Sequence, residues 1–333
     1  MLVEKNPSLA GKSFSIPVVT QALTHGLHLA GKMFLNPGEA LLLPDLFWGN
    51  YRLLFEVGLE ADLHTFNTFR DGGLDLEAFQ SALASIPGEK ITVLLNFPNN
   101  PTGYSPTPEE ADQMLAILKA EADRRHVVAF IDDAYFGFVY EDGVYRESLF
   151  AKLVDAHENL LAVKLDGPTK EDYVWGWRVG FMTLGIRGGD RPLYESMEAK
   201  LGGAIRGSIS NVTALGQNLL LQAFQDARYE AEKKRNYAVL KERYQRVRDL
   251  LAEHPEYSEA FEALPFNAGY FMCLRVKGTT SEQVRQILLR DYSCGVIAMG
   301  NDLLRIAYSS VSADKIETLF ANLHAAVKKA TST

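Results

Sequence analysis

Short apolar runs alternating with helix-period segments constrain this chain more than any other feature. Candidate strands are PVVT (17–20), ALLLP (40–44), KITVLLNF (90–97), VVAFID (127–132), LLAVKL (160–165) and RVGFMTL (178–184). Between them lie the helical stretches LTHGLHLAGKMF (23–34), DLEAFQSALASI (75–86) and PEEADQMLAILKAEADRR (108–125). Strands that alternate with helices build a mostly parallel sheet with helices on both faces. The 108–125 stretch carries Pro108, Glu109 and Glu110 in its first turn and Arg124 and Arg125 in its last, which suits the helix dipole at both ends. Ligands of such folds collect beyond the C-terminal ends of the strands, so the segments that follow them are the place to look for chemistry.

Near residue 225 the pattern changes. From Tyr229 to Glu253 the chain is charged and helical, with Tyr237, Leu240, Tyr244, Val247 and Leu251 forming one buried stripe. Strands GYFMCLRV (269–276), GVIA (295–298) and LLRIAYS (303–309) follow, with helices between them and a last helix from Ala313 to Lys329. The expected fold class is α/β: a large domain over 17–236 with a mostly parallel sheet, and a smaller C-terminal α/β domain over 237–333.

Charge and cysteine content narrow the function classes. With 34 basic and 42 acidic residues the net charge is −8, which argues against nucleic-acid binding by bulk charge. The two cysteines, Cys273 and Cys294, form no CxxC motif and make neither a zinc site by themselves nor a disulfide framework. They read as thiols of a reducing compartment. The longest uncharged stretch, Ser13–Gly31, contains Ser, Thr, Gln, Pro and two His. It falls short of the roughly 20 apolar residues that a membrane span needs. The opening MLVEKNP lacks a basic segment followed by an apolar one. The expected location is cytoplasmic.

Three strings follow successive strands: NFPNNPTGYSPT (96–107), IDDAYFGF (131–138) and LDGPTKEDYVWGWRVGF (165–181). The Asn, Pro and Gly of the first are ordinary turn residues when taken alone. Taken together and in this order, the strings resemble the class I/II aminotransferases, fold-type-I enzymes dependent on pyridoxal phosphate. The resemblance runs from about Pro17 to the C-terminus. It is carried by NNPTG, by the Asp-x-Ala-Tyr of DDAY, by Lys170 with Arg178 eight residues on, and by a late Arg in LLRIAY.

The resemblance implies a role for each matching residue. Lys170 would form the Schiff base with the cofactor and later move a proton at the substrate Cα; a loop lysine is otherwise a solvated surface group. Asp132 would pair with the pyridine nitrogen and keep it protonated. Its neighbour Asp133 points to the opposite face by strand alternation, and the bland alternative for Asp132 is a strand-end or helix-capping carboxylate. Tyr135 and Asn100 would bond the ring's phenolic oxygen, with Asn100 also bordering the substrate. Trp48, in PDLFWGNY (44–51), would stack on the ring or else simply pack in the core.

For the phosphate, the resemblance implies Arg178, the Thr24 hydroxyl and the Leu23 amide at a helix N-terminus. This chain departs from the family pattern twice. TQALTHG (20–26) lacks a small Gly-rich turn, and Gly167 stands where relatives often carry a phosphate-binding Ser. Thr169 is the candidate replacement. His25 and His28 lie one turn apart without a carboxylate and do not make a metal site. Arg305 would grip the substrate α-carboxylate in a bidentate pair; a structural ion pair is the alternative. Arg206, in AIRGSISN (204–211), aligns with an arginine that reaches the side-chain carboxylate across a dimer interface in aspartate-specific relatives. Equivalent arginines also occur where substrates are not acidic.

The implied activity is transfer of an amino group between an L-amino acid and a 2-oxo acid, by a homodimer that uses pyridoxal 5'-phosphate. Alternatives on the same fold are a carbon–sulfur β-lyase or a decarboxylase, since the cofactor carries the chemistry. An effector-sensing half of a transcription regulator would need an attached DNA-binding domain. The family normally has a longer segment before PVVT, so residues 1–16 are expected to be the remnant of an N-terminal segment. A truncated, inactive remnant is the corresponding further alternative.

Overall fold

The buried apolar runs form the centre of a seven-stranded sheet. The computed structural model describes residues 1–332. In chain order, the first part of the molecule comprises α1 (Leu2–Lys5), β1 (Val18–Thr20), α2 (Ala22–Phe34), β2 (Ala40–Pro44) and β3 (Asp62–Phe66). A small hairpin of β4 (Phe69–Arg70) and β5 (Gly73–Leu74) leads to α3 (Leu76–Ser85), β6 (Lys90–Asn96), α4 (Pro108–Ala122) and β7 (His126–Asp132). Then come α5 (Leu149–Leu153), β8 (Leu160–Asp166), α6 (Pro168–Glu171), β9 (Gly180–Ile186), α7 (Arg191–Ile209) and α8 (Ala214–Gln225).

The sheet order is β1-β9-β8-β7-β6-β2-β3. Strands β3, β2, β6, β7 and β8 run parallel to one another, whereas β9 is antiparallel to both β8 and β1. The register pairs Asn96 with Asp132, Asp132 with Leu165, Asp166 with Phe181 and Thr20 with Gly180. The ends of β6, β7, β8 and β1 and the start of β9 therefore share one edge of the sheet.

Strand alternation divides the core between the two faces. Val127, Ala129 and Ile131 of β7 pack with Phe79, Leu83, Met114 and Leu118 on one face. Val128 and Phe130 pack with Leu27, Ala30 and Phe55 on the other. Each large side chain buried this way contributes about 1.5–3 kcal/mol. The start of α4 is fixed locally: Thr107 Oγ1 accepts from the Glu110 amide and the Glu110 carboxylate accepts from the Thr107 amide, a reciprocal cap.

The chain divides into two compact units, one of Met1–Pro98, Pro106–Gly137 and Gly143–Asp226, the other of Asn99–Ser105, Phe138–Asp142 and Ala227–Thr333. The second unit contains α9 (Tyr229–Glu253), β10 (Phe261–Ala263), β11 (Met272–Val276), α10 (Ser281–Tyr292), β12 (Ile297–Met299), β13 (Leu303–Ile306) and α11 (Ala313–Thr331). Its strands form an antiparallel sheet in the order β10-β11-β13-β12. On α9 the buried stripe is Leu240, Tyr244, Val247 and Leu250; Tyr237 and Leu251, both expected in that row, are only half-buried, Leu251 because the 3.6-residue period favours its neighbour.

Within this unit the Asn99–Ser105 segment is tied down by Asn267, whose side chain accepts from the Ser105 amide at 2.8 Å and donates to the Ser105 carbonyl at 2.9 Å. Gly103 has φ +74°, and a Cβ there would stand 1.9 Å from the Phe271 carbonyl oxygen. Both the backbone conformation and the close approach require glycine in NNPTG. Among the described residues, no helix is long and apolar enough to cross a membrane.

Candidate active site

Asp132 ends β7 on the face of Phe130 and is 3% exposed. Its Oδ1 accepts from the Ala134 amide at 2.9 Å and its Oδ2 from the Tyr51 hydroxyl at 2.5 Å. Its carbonyl accepts from Asn96 Nδ2 at 2.9 Å, which joins the ends of β6 and β7. Burial pushes the Asp132 carboxyl up from its ordinary range, against the pull of Tyr51, Ala134, Lys170 and Lys164. Trp48, on the turn after β2, is half-buried against the core and meets the Tyr51 ring edge-on at 5.5 Å and 85°. Trp48 thus reaches the Asp132 region through Tyr51, a residue that sequence reasoning missed.

Asp133 faces the other side of the sheet, as alternation requires. There Lys164, 1% exposed, stands 2.9 Å from Asp133 and 2.6 Å from Asp166. Burial opposes the Lys164 charge, but the two carboxylates outweigh it and hold the amine protonated above its usual range. Burial lifts Asp133 to about 6 despite the pull of Lys164 and the Ser148 hydroxyl. This triad, buried at Lys164 and Asp133 and half-buried at Asp166, was also missed, because a lysine inside an apolar strand run carries no sequence sign of its partners.

Lys170 lies in the short helix α6, just beyond β8. Its Nζ sits over the ring of the buried Tyr135, 5.4 Å from the ring centre. Burial lowers the amine's pKa, Asp132 raises it and Arg178 lowers it again. Gly167, which opens the turn into α6, has no room for a side chain. A Cβ there would lie 2.8 Å from the Val179 carbonyl oxygen, 2.9 Å from Gly180 Cα and 3.2 Å from Leu23 Cδ1. The close approach of β9 explains why this chain has no serine at the position. Two residues on, Thr169 is 5% exposed and its Oγ1 is buried with no hydrogen-bond partner. An orphaned hydroxyl of this kind costs stability unless a ligand meets it.

Arg178 precedes β9 in the left-handed region, φ +55°, and its Nη1 donates to the Trp175 carbonyl at 3.2 Å. A non-glycine residue held there is uncommon outside functional or tightly constrained positions. Close by, Gly180 would place a Cβ 2.6 Å from the Ala22 carbonyl carbon, so β9 starts against the N-terminus of α2. Leu23 is buried and Thr24 exposed in the first turn of that helix. His25 caps it: Nδ1 accepts from the Gln21 amide at 3.1 Å, and Nε2 lies 3.0 Å from Ser208 Oγ. His25 thereby serves the helix end, and Arg206 is exposed on α7.

Asn100 and Arg305 belong to the second unit. Arg305 Nη1 donates to Asn100 Oδ1 at 3.0 Å, and the guanidinium lies over the Phe271 ring at 4.4 Å. Arg305 on β13 is also in register with Cys273 on β11. Burial pushes the Cys273 thiol up to about 12, which leaves it inert at neutral pH.

A buried carboxylate, an amine of lowered pKa, a loop arginine and a helix N-terminus gather at one edge of a mostly parallel sheet and make one candidate site. The chain matches the family model described as aminotransferase class I and II over residues 13–323, and it belongs to that family. It is 26% identical over 248 residues to the cytoplasmic aspartate aminotransferase of Saccharomyces cerevisiae, covering 72% of this chain and 58% of that protein. With the mitochondrial aspartate aminotransferase of Dictyostelium discoideum the identity is 26% over 315 residues, 92% of this chain and 69% of the relative. The chain therefore spans between about three fifths and two thirds of these relatives' lengths.

Among solved structures, an aminotransferase from Anaerococcus prevotii superposes with a TM-score of 0.84 at 24% identity, covering 97% of this chain and 78% of that one. The Thermus thermophilus alpha-aminoadipate aminotransferase, complexed with N-(5'-phosphopyridoxyl)-L-leucine, gives a TM-score of 0.77 at 20% identity, over 95% of this chain and 78% of that one. At these identities the likeness is one of fold.

Proposed function

We propose that this chain is an aminotransferase that binds pyridoxal 5'-phosphate and moves an amino group between an L-amino acid and a 2-oxo acid. The observation that carries the reading is the setting of Lys170: a partly buried amine over Tyr135, acted on by the opposite charges of Asp132 and Arg178. Membership of the family supports the same conclusion.

The residues present fit the cofactor. The orphaned Thr169 hydroxyl, the Arg178 guanidinium, and the Thr24 hydroxyl with the Leu23 amide at the start of α2 are donors suited to a phosphate. Asp132 would offer its carboxylate to a protonated ring nitrogen, and Tyr135 would supply a phenol for the ring oxygen. Trp48 offers an aromatic face for stacking. When bound, the cofactor supplies the aldehyde that takes up the amino group and the ring that accepts the electron pair left by a departing Cα proton. Lys170 Nζ, with its pKa lowered by burial and Arg178, has a larger neutral fraction than a free lysine amine, and the neutral amine is the form that takes up a proton. Arg305, oriented by Asn100 and Phe271, presents the guanidinium fork that suits an α-carboxylate.

We further read the protein as a cytoplasmic homodimer. Two free cysteines without a disulfide support the reducing compartment. The functional test is a half-reaction. Purified chain loaded with pyridoxal phosphate is mixed with single L-amino acids, and the 2-oxo acid formed is quantified. One equivalent per site without an acceptor, and turnover with one, is the expected result. Continuous release of pyruvate without an acceptor would instead make it a lyase.

A further inference from the structure

We propose that Tyr51 is a positioning residue for Asp132: its hydroxyl fixes the carboxylate's orientation and sets its proton affinity. The inference rests on the reading of Asp132 as the partner of the cofactor's ring nitrogen, and it adds a residue to which neither the family motifs nor the sequence assigned a role. Tyr51 is 1% exposed, and its hydroxyl donates to Asp132 Oδ2 at 2.5 Å. That length belongs to a charge-assisted bond between a hydroxyl and an ionised carboxylate.

The ring of Tyr51 is held from several sides. Trp48 meets it edge-on at 5.5 Å, Phe47 stacks beside it at 6.4 Å and 20°, and Phe55 packs at 6.2 Å. The Tyr51 amide donates to the Trp48 carbonyl at 2.9 Å. A rigid aromatic cage therefore aims one hydroxyl at one carboxylate oxygen, while the Ala134 amide takes the other at 2.9 Å. With both oxygens engaged, the carboxylate plane is fixed, and each oxygen keeps a lone pair for a cationic N–H.

The electrostatic consequence has a definite sign. Burial favours the neutral acid, and the groups that oppose it are the Tyr51 hydroxyl, the Ala134 amide, Lys170 and Lys164. Tyr51 stabilises the anion by direct hydrogen bonding and remains a neutral donor, since burial and the Asp132 charge push its own pKa well above the usual value. Without the hydroxyl, Asp132 holds a proton to higher pH. A protonated Asp132 cannot compensate a cationic ring nitrogen.

The test compares wild-type protein with Tyr51→Phe and with 3-fluorotyrosine at position 51, a stronger donor of the same shape. In the apo protein, carbon-13 NMR follows the Asp132 carboxyl against pH, with Asp132→Asn assigning the resonance. Loss of a hydrogen bond to a charged group corresponds to a rise of about 1–2 pH units in the midpoint for Tyr51→Phe. The fluorinated residue should move it downward, and a merely structural role would not grade with donor strength. Thermal melts confirm that each variant folds. Should Tyr51→Phe not fold, the fluorinated protein alone decides, since it keeps every contact.

With cofactor added, the pH midpoint of its bound absorbance band should move in Tyr51→Phe. An Asp132 midpoint that stays within about 0.2 units, or about 0.3 kcal/mol, in both variants overturns the proposal. If instead Asp132→Asn binds pyridoxal phosphate with unaltered affinity and spectrum, the reading of Asp132 fails, while the apo titration still decides what Tyr51 does.

Discussion

Lys170 Nζ lies over the face of the Tyr135 ring, 5.4 Å from its centre, in a setting where burial and Arg178 drive its proton off and Asp132 holds it on. The amine's proton affinity is thus set by burial and by two side chains, one at the end of β7 and one in the segment before β9, and each can be removed separately.

Replacing Arg178 with Gln should raise the Lys170 pKa, and replacing Asp132 with Asn should lower it further below the usual lysine value. Neighbouring charges of this kind shift a pKa by about 1–3 units when close, and less when solvent screens them. The pH dependence of reductive methylation at Lys170 in the apo protein, read by peptide mass spectrometry, measures both. Shifts of the same sign would mean that the two charges do not act on Lys170 as described.

Thr169→Val should leave the apo protein as stable as wild type or slightly more so, because its Oγ1 is buried without a partner. Its affinity for pyridoxal phosphate should fall by about 10-fold or more, the loss of one hydrogen bond to a charged group. Thermal melts of the apo protein and a fluorescence titration with the cofactor separate the two effects. Unchanged affinity would remove Thr169 from the phosphate site.

Gly167→Ser is expected to destabilise the chain by about 1–3 kcal/mol, the usual cost of forcing extra atoms into a packed site. The obstacles are backbone atoms, the Val179 carbonyl at 2.8 Å and Gly180 Cα at 2.9 Å, which cannot swing aside as a flexible side chain could. Urea unfolding of the apo variant measures this. A serine accepted without loss would show that β9 can withdraw from the turn.

Lys164→Met should cost about 3–5 kcal/mol at pH 7, because Asp133 and Asp166 lose their shared cation. The pH dependence has a definite sign. Asp133 titrates at about 6 in the folded wild type, above the ~3.9 of an unfolded chain. The folded state therefore binds its proton first, and acidification from pH 7 toward 4 favours folding on this group's account. Without Lys164 the folded pKa rises further, so the variant's deficit should shrink as pH falls from 7 to 5. A deficit that is constant with pH would mean that Lys164 does not set the proton affinity of Asp133.

Much of the fold was legible because its central strands are buried on both faces. The runs at 90–97, 127–132 and 160–165 match β6, β7 and β8 to within a residue or so, and the helix from Tyr229 to Glu253 matches α9. The edge strand β3 was not legible: DLHTF buries only Phe66 and has no apolar run. Helices α7 and α8 went unread beside the strand pattern, although Asp190 caps the first of them by accepting from the Leu193 amide.

In the site, alternation correctly separated Asp132 from Asp133. It could not show which side chains meet them, because Tyr51 lies 81 positions from Asp132 and a buried phenol has no fixed partner type. The absence of a serine at 167 was visible in the sequence, but its cause was not. The backbone of β9 fills the space that a side chain there would need.

The most direct test of the central claim is covalent trapping. The purified chain is mixed with pyridoxal phosphate, reduced with borohydride, digested and analysed by mass spectrometry, alongside Lys170→Ala. The expected result is one phosphopyridoxyl group per chain, on the peptide carrying Lys170, with none in the variant. A label spread over several lysines, or one that persists undiminished in Lys170→Ala, would contradict the assignment of Lys170 as the residue that binds the cofactor.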